Sequence, residues 1–342
     1  PGSQKALFCT AGVKLLKDYC LKTGIDYFEC GKVIVATEVS ELEALYTLYS
    51  RGKENGVPGM EIIEPERLKE IEPNARGIKA LHLPNTAVVD YPLVTQSYAR
   101  DFEVLEGLIL TDTRVTKISS YSDELVIETN QDAIKTKYLI NCAGLYADVI
   151  SKMMKTQRDV HIFPFRGDYY VLRPEKRDLV KGLIYPVPNP KYPFLGVHFT
   201  RGIHGGVEAG PNAVLSWARE GYSKMAFNAK DAFGMVSFRG FLPMFGKTWK
   251  LGLIELRRAL LKNVFVRDLQ RLIPSISSTD LLTGGSGLRA QAVDKRGQLL
   301  DDFVINEQEK AIHVVNAPSP GATASLAIGR HIASLAKQNF RL

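Results

Sequence analysis

Two short stretches place small residues where an apolar β run ends, and both could hold an electron-rich group. One is Asn316-Ala317-Pro318-Ser319-Pro320-Gly321-Ala322-Thr323, after the run Ile312-His313-Val314-Val315. Neither proline can donate to a ladder, so a strand stops there. Gly321 lets another group approach the backbone. The helix that Thr323 or Ser325 can cap presents free N–H groups and the positive end of its dipole. Such a start attracts an anion or an electron-rich ring edge. The other stretch is Asn141-Cys142-Ala143-Gly144, a strand end feeding a turn and then a helix near Ala147. Ala143 and Gly144 have the same use, close backbone approach at the carboxyl end of a sheet strand. Each stretch alone is more simply read as an ordinary strand-to-helix turn.

A third stretch differs in kind. Residues 216–272 carry eleven Lys and Arg against four Asp and Glu, as much net charge as the whole chain's +7. Trp217 and Trp249 lie there among six phenylalanines, with Phe238-Arg239-Gly240-Phe241-Leu242-Pro243-Met244-Phe245 very apolar for a loop. Basic residues interleaved with aromatics mark a membrane-surface helix pair, a nucleic-acid face, or a helical subdomain with a solvated basic side. Nucleic-acid binding is the weakest of these, because no recognised module is present. The glycines of Thr283-Gly284-Gly285-Ser286-Gly287 lack GxGxxG spacing and follow no clear strand, so they make a poor phosphate cradle. Cys9, Cys20, Cys30 and Cys142 are scattered without metal-ligand spacing. They read as free thiols in a reducing, cytoplasmic compartment, with no metal.

The elements that must position these stretches follow from pattern. Ser3 caps a first helix whose buried stripe is Phe8, Ala11, Leu15 and Tyr19, and Gly24 ends it. Phe28 to Thr37 reads as a strand. Ser40 and Glu43 have capping-box spacing for a helix to about Gly52. Ile62 begins a short strand, a helix starts near Pro65, Ala80 to Leu83 is another strand, and Tyr91-Pro92 opens a helix to about Phe102. Leu108-Ile109-Leu110, Val115–Ile118, Leu125–Thr129 and Tyr138–Asn141 are four β runs. Phe163–Leu172, Leu183–Pro186, Phe194–Thr200 and Gly206–Gly210 form a second β-rich section, of a texture that indicates an inserted domain. Asp301–Ile305 starts a further strand. A chain of 342 residues, 45% hydrophobic and 24% charged, is globular and long enough for two cores. No apolar run is long enough to span a bilayer.

Taken in order, six blocks resemble the FAD-dependent oxidoreductases of the D-amino-acid-oxidase type. They are Cys30-Gly31-Lys32-Val33 with Val35-Ala36-Thr37, Phe163–Tyr169, Pro193–His198, Gly210-Pro211-Asn212-Ala213, Gly287–Ala292 and Asn316–Thr323. Within that family the chain is most similar to the L-2-hydroxyglutarate oxidases and dehydrogenases. The resemblance implies an α/β fold in which a Rossmann-like FAD domain (1–27, 103–158 and 287–342) is interleaved with a mixed-sheet α+β substrate domain (28–102 and 159–286, with the basic helical part 216–272). It implies hydride transfer from L-2-hydroxyglutarate to flavin N5, giving 2-oxoglutarate, with oxygen, a quinone or another carrier reoxidising the flavin. Another amino-acid or glycerol-3-phosphate oxidase of the same family is the alternative, as is a non-catalytic binder of anionic surfaces. Arg289 matches the position where related oxidases hold a substrate carboxylate. Arg166, His198 and Arg201 follow as candidates for the far carboxylate or the base. Ala143, Gly144, Ser319, Pro320, Gly321, Ala322 and Thr323 would hold FAD. The basic part implies a peripheral site on the inner face of the cytoplasmic membrane. The family places its GxGxxG fingerprint and acidic ribose ligand before Pro1, and this sequence contains neither. The expectation is an FAD domain without its first strand and pyrophosphate site, with the activity belonging to the intact protein.

Overall fold

A computed structural model describes residues 1–156, 159–188 and 196–342. The first part of the chain forms α1 (Gln4–Thr23), β1 (Tyr27–Phe28), β2 (Lys32–Ala36), α2 (Leu42–Glu54), β3 (Glu61–Ile63), α3 (Pro65–Ile71), β4 (Lys79–Leu83), β5 (Val88–Val89) and α4 (Tyr91–Val104). Next come β6 (Val115–Ser120), β7 (Leu125–Thr129), β8 (Ala133–Thr136), β9 (Leu139–Asn141) and α5 (Ala147–Met153). The middle holds β10 (Val160–Leu172), β11 (Leu183–Pro186), β12 (His198–Arg201), β13 (Val207–Gly210), β14 (Val214–Leu215), α6 (Ala229–Val236), α7 (Phe241–Leu260) and α8 (Lys262–Gln270). The chain closes with β15 (Leu281–Asp294), β16 (Val304–Gln308), β17 (Ala311–Asn316) and α9 (Ser325–Asn339).

The largest sheet has nine strands in the order β14-β10-β13-β12-β11-β2-β4-β3, with β15 beside β10. One face packs on α3 and α8 through Val33, Val35, Leu68, Ile184, Phe199, Ala209, Phe265 and Leu269. A smaller sheet, β16-β17-β9, pairs β17 with β9 in parallel. It is covered by α9 through Val314, Ala324, Ile328 and Ile332, with Phe8 of α1 against them. The mixed α/β architecture of the resemblance is therefore present. Its proposed division meets two observations. β15 runs straight through residue 287, and Val94 and Tyr98 of α4 pack on Leu16 and Cys20 of α1.

Several local expectations change. In α1, Ser3 accepts from the Ala6 N–H at 3.1 Å and Gly24 closes the helix at φ 70°. Its buried stripe, however, is Gly12, Leu16 and Cys20 rather than Phe8, Ala11, Leu15 and Tyr19. Gly12 decides this rotation, since a Cβ there would stand 2.6 Å from the Ala324 Cα, so only glycine admits the start of α9. The capping box ahead of α2 is Glu38 with Glu41, not Ser40 with Glu43. Leu108, Ile109 and Leu110 are exposed and form no strand. Thr283 to Val293, whose glycines make a poor phosphate cradle by spacing, lies within the long strand β15, which pairs with β10 from Leu172↔Leu281 to Val160↔Asp294. The apolar Phe238–Phe245 stretch turns into the start of α7. Phe194 and Leu195, read as strand, lie outside the described residues.

Candidate active site

Parallel pairing of β9 with β17 brings the two small-residue turns side by side at the carboxyl ends of their strands, with His313 opposite Asn141. Asn141 shapes the first turn. Its Oδ1 accepts from the Ala143 N–H at 3.1 Å, and its Nδ2 donates to Ala147 O at 2.9 Å. Gly144 adopts φ 53° and a Cβ built on it meets nothing within 4 Å, so the turn faces open space. The turn is held from behind. Arg219 donates to the Leu145 carbonyl and forks onto the buried Asp148 carboxylate at 2.7 and 3.0 Å. Lys152 and His161 reach the same carboxylate, each at 3.1 Å. Burial alone would raise the Asp148 pKa; the His161 hydrogen bond and the Arg219 and Lys152 charges outweigh it and hold the carboxyl well below its usual range.

On the second turn Pro318 is buried while Ser319 and Ala322 are exposed. Neither Thr323 nor Ser325 caps α9, contrary to expectation. The N-cap is Ala324, without a side-chain hydrogen bond. Thr323 instead pairs with the Tyr91 hydroxyl at 2.7 Å, and Ser325 with Tyr98 at 3.3 Å. These contacts tie α4 to the helix start and leave the leading N–H groups of α9 without a side-chain acceptor among the described residues. Thr323 also borders a cleft of about 320 Å³ shared with Cys9, Val13, Tyr27, Pro58 and Tyr91. An open glycine turn beside an uncapped helix start fits the ring end of a flavin, whose electron-rich edge needs N–H donors and a close backbone. Among the described residues no group of three His, Cys, Asp or Glu could hold a metal ion.

A second constellation lies on the large sheet. Side chains alternate along each strand, and the register Tyr170↔Ala209↔Phe199↔Ile184↔Val33 runs along the core face. The residues between them point the other way, namely Lys32, Tyr185, His198, Thr200 and Tyr169. The His198 ring stacks on Tyr185 with centroids 3.8 Å apart, and the Lys32 Nζ lies 3.8 Å from the Tyr185 ring centroid on the same face. His198 Nδ1 is 2.9 Å from the Gly196 carbonyl. A carbonyl only accepts, so Nδ1 carries the proton and Nε2 keeps its lone pair. Burial pulls the His198 imidazole down to about 4, with the Gly196 hydrogen bond raising it and Lys32 lowering it further. Burial raises the Tyr185 phenol, and a hydrogen bond with Thr200 lowers it.

The arginines divide between the faces. Arg289 of β15 stands opposite Phe165 of β10, and strand alternation from Phe165 to Tyr169 puts it on the His198 face. Burial lowers its pKa and Asp301 raises it. Arg166 and Arg201, read as candidates for the far carboxylate or the base, fall on the face opposite to His198. Arg166 is buried and committed to Asp168 at 2.9 Å and to the Ser223 carbonyl at 2.6 Å. Arg201 donates to the Val180 carbonyl at 3.1 Å. The positions i and i+2 of Arg166 and Asp168 on a strand already signalled the ion pair. Lys32, Tyr185 and Thr200 were passed over; their signal was strand parity, which needs the pairing of β2 with β11 to be read.

The model of the FAD dependent oxidoreductase family matches residues 1–335. The chain is 46% identical over 341 residues, 99% of its length and 86% of the relative's, to an L-2-hydroxyglutarate dehydrogenase of Indibacter alkaliphilus. It is 41% identical to the mitochondrial L-2-hydroxyglutarate dehydrogenase of Homo sapiens, across 100% of this chain and 78% of that one. Among solved structures, FAD-bound L-alpha-glycerophosphate oxidase from Mycoplasma pneumoniae superposes with a TM-score of 0.75 at 22% identity, covering 96% of this chain and 79% of its own. Glycine oxidase from Bacillus cereus gives 0.65 at 15%, covering 97% and 82%. These structural likenesses establish the fold.

Proposed function

The chain belongs to the FAD-dependent oxidoreductase family, and from that premise we propose that it oxidises L-2-hydroxyglutarate to 2-oxoglutarate. The observation that carries the reading is the near full-length similarity to L-2-hydroxyglutarate dehydrogenases of a bacterium and of human. Bound FAD supplies the acceptor for the hydride that leaves C2. The residues of this chain do the rest. Arg289 takes the C1 carboxylate in its fork and so fixes C2. His198, neutral at physiological pH, accepts the hydroxyl proton on Nε2 as the C2–O bond becomes a carbonyl. The Gly144 turn, the backbone from Ser319 to Thr323 and the start of α9 hold the flavin ring end. An absorption spectrum of the purified protein with FAD tests the proposal. A flavin spectrum that bleaches on anaerobic addition of L-2-hydroxyglutarate is the expected result. Bleaching by glycine or glycerol-3-phosphate alone would move the protein to another branch of its family.

The electron acceptor and the location form a finer part of the proposal. Among the described residues no helix is long and apolar enough to cross a membrane. α7 nevertheless exposes Leu242, Phe245, Trp249, Leu253, Leu256 and Leu260, at helical spacing along one stripe, with Lys247, Lys250 and Arg257 beside it. The stripe opens onto an apolar groove of about 320 Å³ lined by Phe165, Trp217 and Trp249. Such a helix lies in an anionic lipid surface, where a lipid-soluble quinone is at hand. Flotation with anionic vesicles at low salt is expected. Trp249→Asp together with Leu253→Asp should abolish it, and flotation unchanged by that pair would reject α7 as the contact.

A further inference from the structure

Resting on that reading, we infer that Lys32 holds the substrate's second carboxylate, the group that separates a dicarboxylate from a simple 2-hydroxy acid. Lys32 opens β2 and pairs in parallel with Leu183 of β11. Its neighbours Val33 and Val35 fill the core on one side of the sheet, so its own stem leaves from the other side, the side of His198 and Arg289. There the ammonium sits over the Tyr185 ring, itself stacked on His198.

The charge of Lys32 has no carboxylate to answer it among the ion pairs of the described residues. Arg166 has Asp168, Arg219 has Asp148 and Arg258 has Glu255 and Asp268. Burial is the one cause found for the Lys32 pKa, which falls to about 8. Glu208, on the strand beyond His198, acts on Tyr169, whose pKa it raises. The face of Tyr185 offsets part of the desolvation. The remainder is the cost of keeping a cation ready for an anion that the described residues do not supply. The other candidates for the second carboxylate are already committed on the opposite face: Arg166 to Asp168 and Ser223, Arg201 to Val180. Lys32 and Arg289 would then take one carboxylate each, with His198 on the same face for the hydroxyl.

The test compares two acids of equal carbon number in the FAD-loaded protein, L-2-hydroxyglutarate and L-2-hydroxyvalerate, which ends in a methyl group. Lys32→Met is expected to reduce kcat/KM for the dicarboxylate by ~30-fold or more, chiefly through KM, and for the monoacid by less than ~3-fold. Lys32→Arg should keep most of the preference. Equal losses on both acids, or none on either, would overturn the inference. Binding of glutarate and of valerate, followed by perturbation of the flavin spectrum, separates this inference from the proposed reaction. A parent protein that binds glutarate but fails to turn over L-2-hydroxyglutarate loses the reaction and keeps the subsite, provided Lys32→Met weakens glutarate alone. If Lys32→Met does not fold, Lys32→Gln makes the same comparison.

Discussion

Arg289→Met is expected to lower kcat/KM for the proposed dicarboxylate by ~30- to ~4000-fold, the equivalent of about 2–5 kcal/mol for removing one partner of a desolvated, hydrogen-bonded charge pair. The residue is partly buried on β15, and its face is fixed by the pairing with Phe165. Burial lowers the guanidinium pKa, so its environment is already short of solvent when a carboxylate arrives. A bidentate contact made there differs from an exposed ion pair, which contributes little. Arg289→Lys keeps a charge and loses the planar fork, so it should fall between parent and Met variant. Both acids used against Lys32 carry the C1 carboxylate, and Arg289→Met should therefore impair them alike. A loss confined to the dicarboxylate would exchange the roles of the two cations. A drop of less than ~3-fold on both would remove Arg289 from the site.

The second large effect is on stability. Arg219→Met leaves the Asp148 carboxylate, which is fully buried, without its bidentate partner. The expected loss is about 3–5 kcal/mol, because the buried charge loses its bidentate cation and keeps only Lys152 and the His161 hydrogen bond. Lys152 remains, but its side chain is 38% exposed and its charge partly answers to water. Denaturant unfolding followed by the fluorescence of Trp217 and Trp249 measures the loss. Adding Asp148→Leu should restore part of it, since the orphaned charge disappears with the carboxylate. Arg219→Met should also weaken flavin retention, because the same guanidinium supports the carbonyl next to Gly144. A single variant within ~0.5 kcal/mol of the parent would mean that the ion pair contributes nothing net.

What the sequence disclosed, and what it withheld, follows from the range of the interactions involved. The two small-residue turns were legible because each is local, with an apolar run, small residues and a helix in immediate succession. The basic segment was legible as charge, and its helices explain why the apolar residues within it are spaced as they are. The stripe of α1 was misread because its rotation is set by Gly12 meeting Ala324, more than three hundred residues away. The glycines of β15 gave no strand signal because strand formation there depends on β10, over a hundred residues earlier. The face that carries His198 was hidden for the same reason. Lys32, Tyr185, His198 and Arg289 share a face only through pairings among β2, β11, β12, β13, β10 and β15. Arg166 and Arg201 were attractive as charges, and only parity on their strands shows that they turn away.

The pairing of β10 with β15 has a mechanical side. Val160, Ile162 and Ala292 at one end pack with Val315 of the β16-β17-β9 sheet, while Leu172 and Leu281 at the other end enter the core beneath α8. Thirteen residues of extended chain measure roughly 44 Å. The two cores are thus riveted to a common girder, and rocking one against the other would shear its ladder of hydrogen bonds.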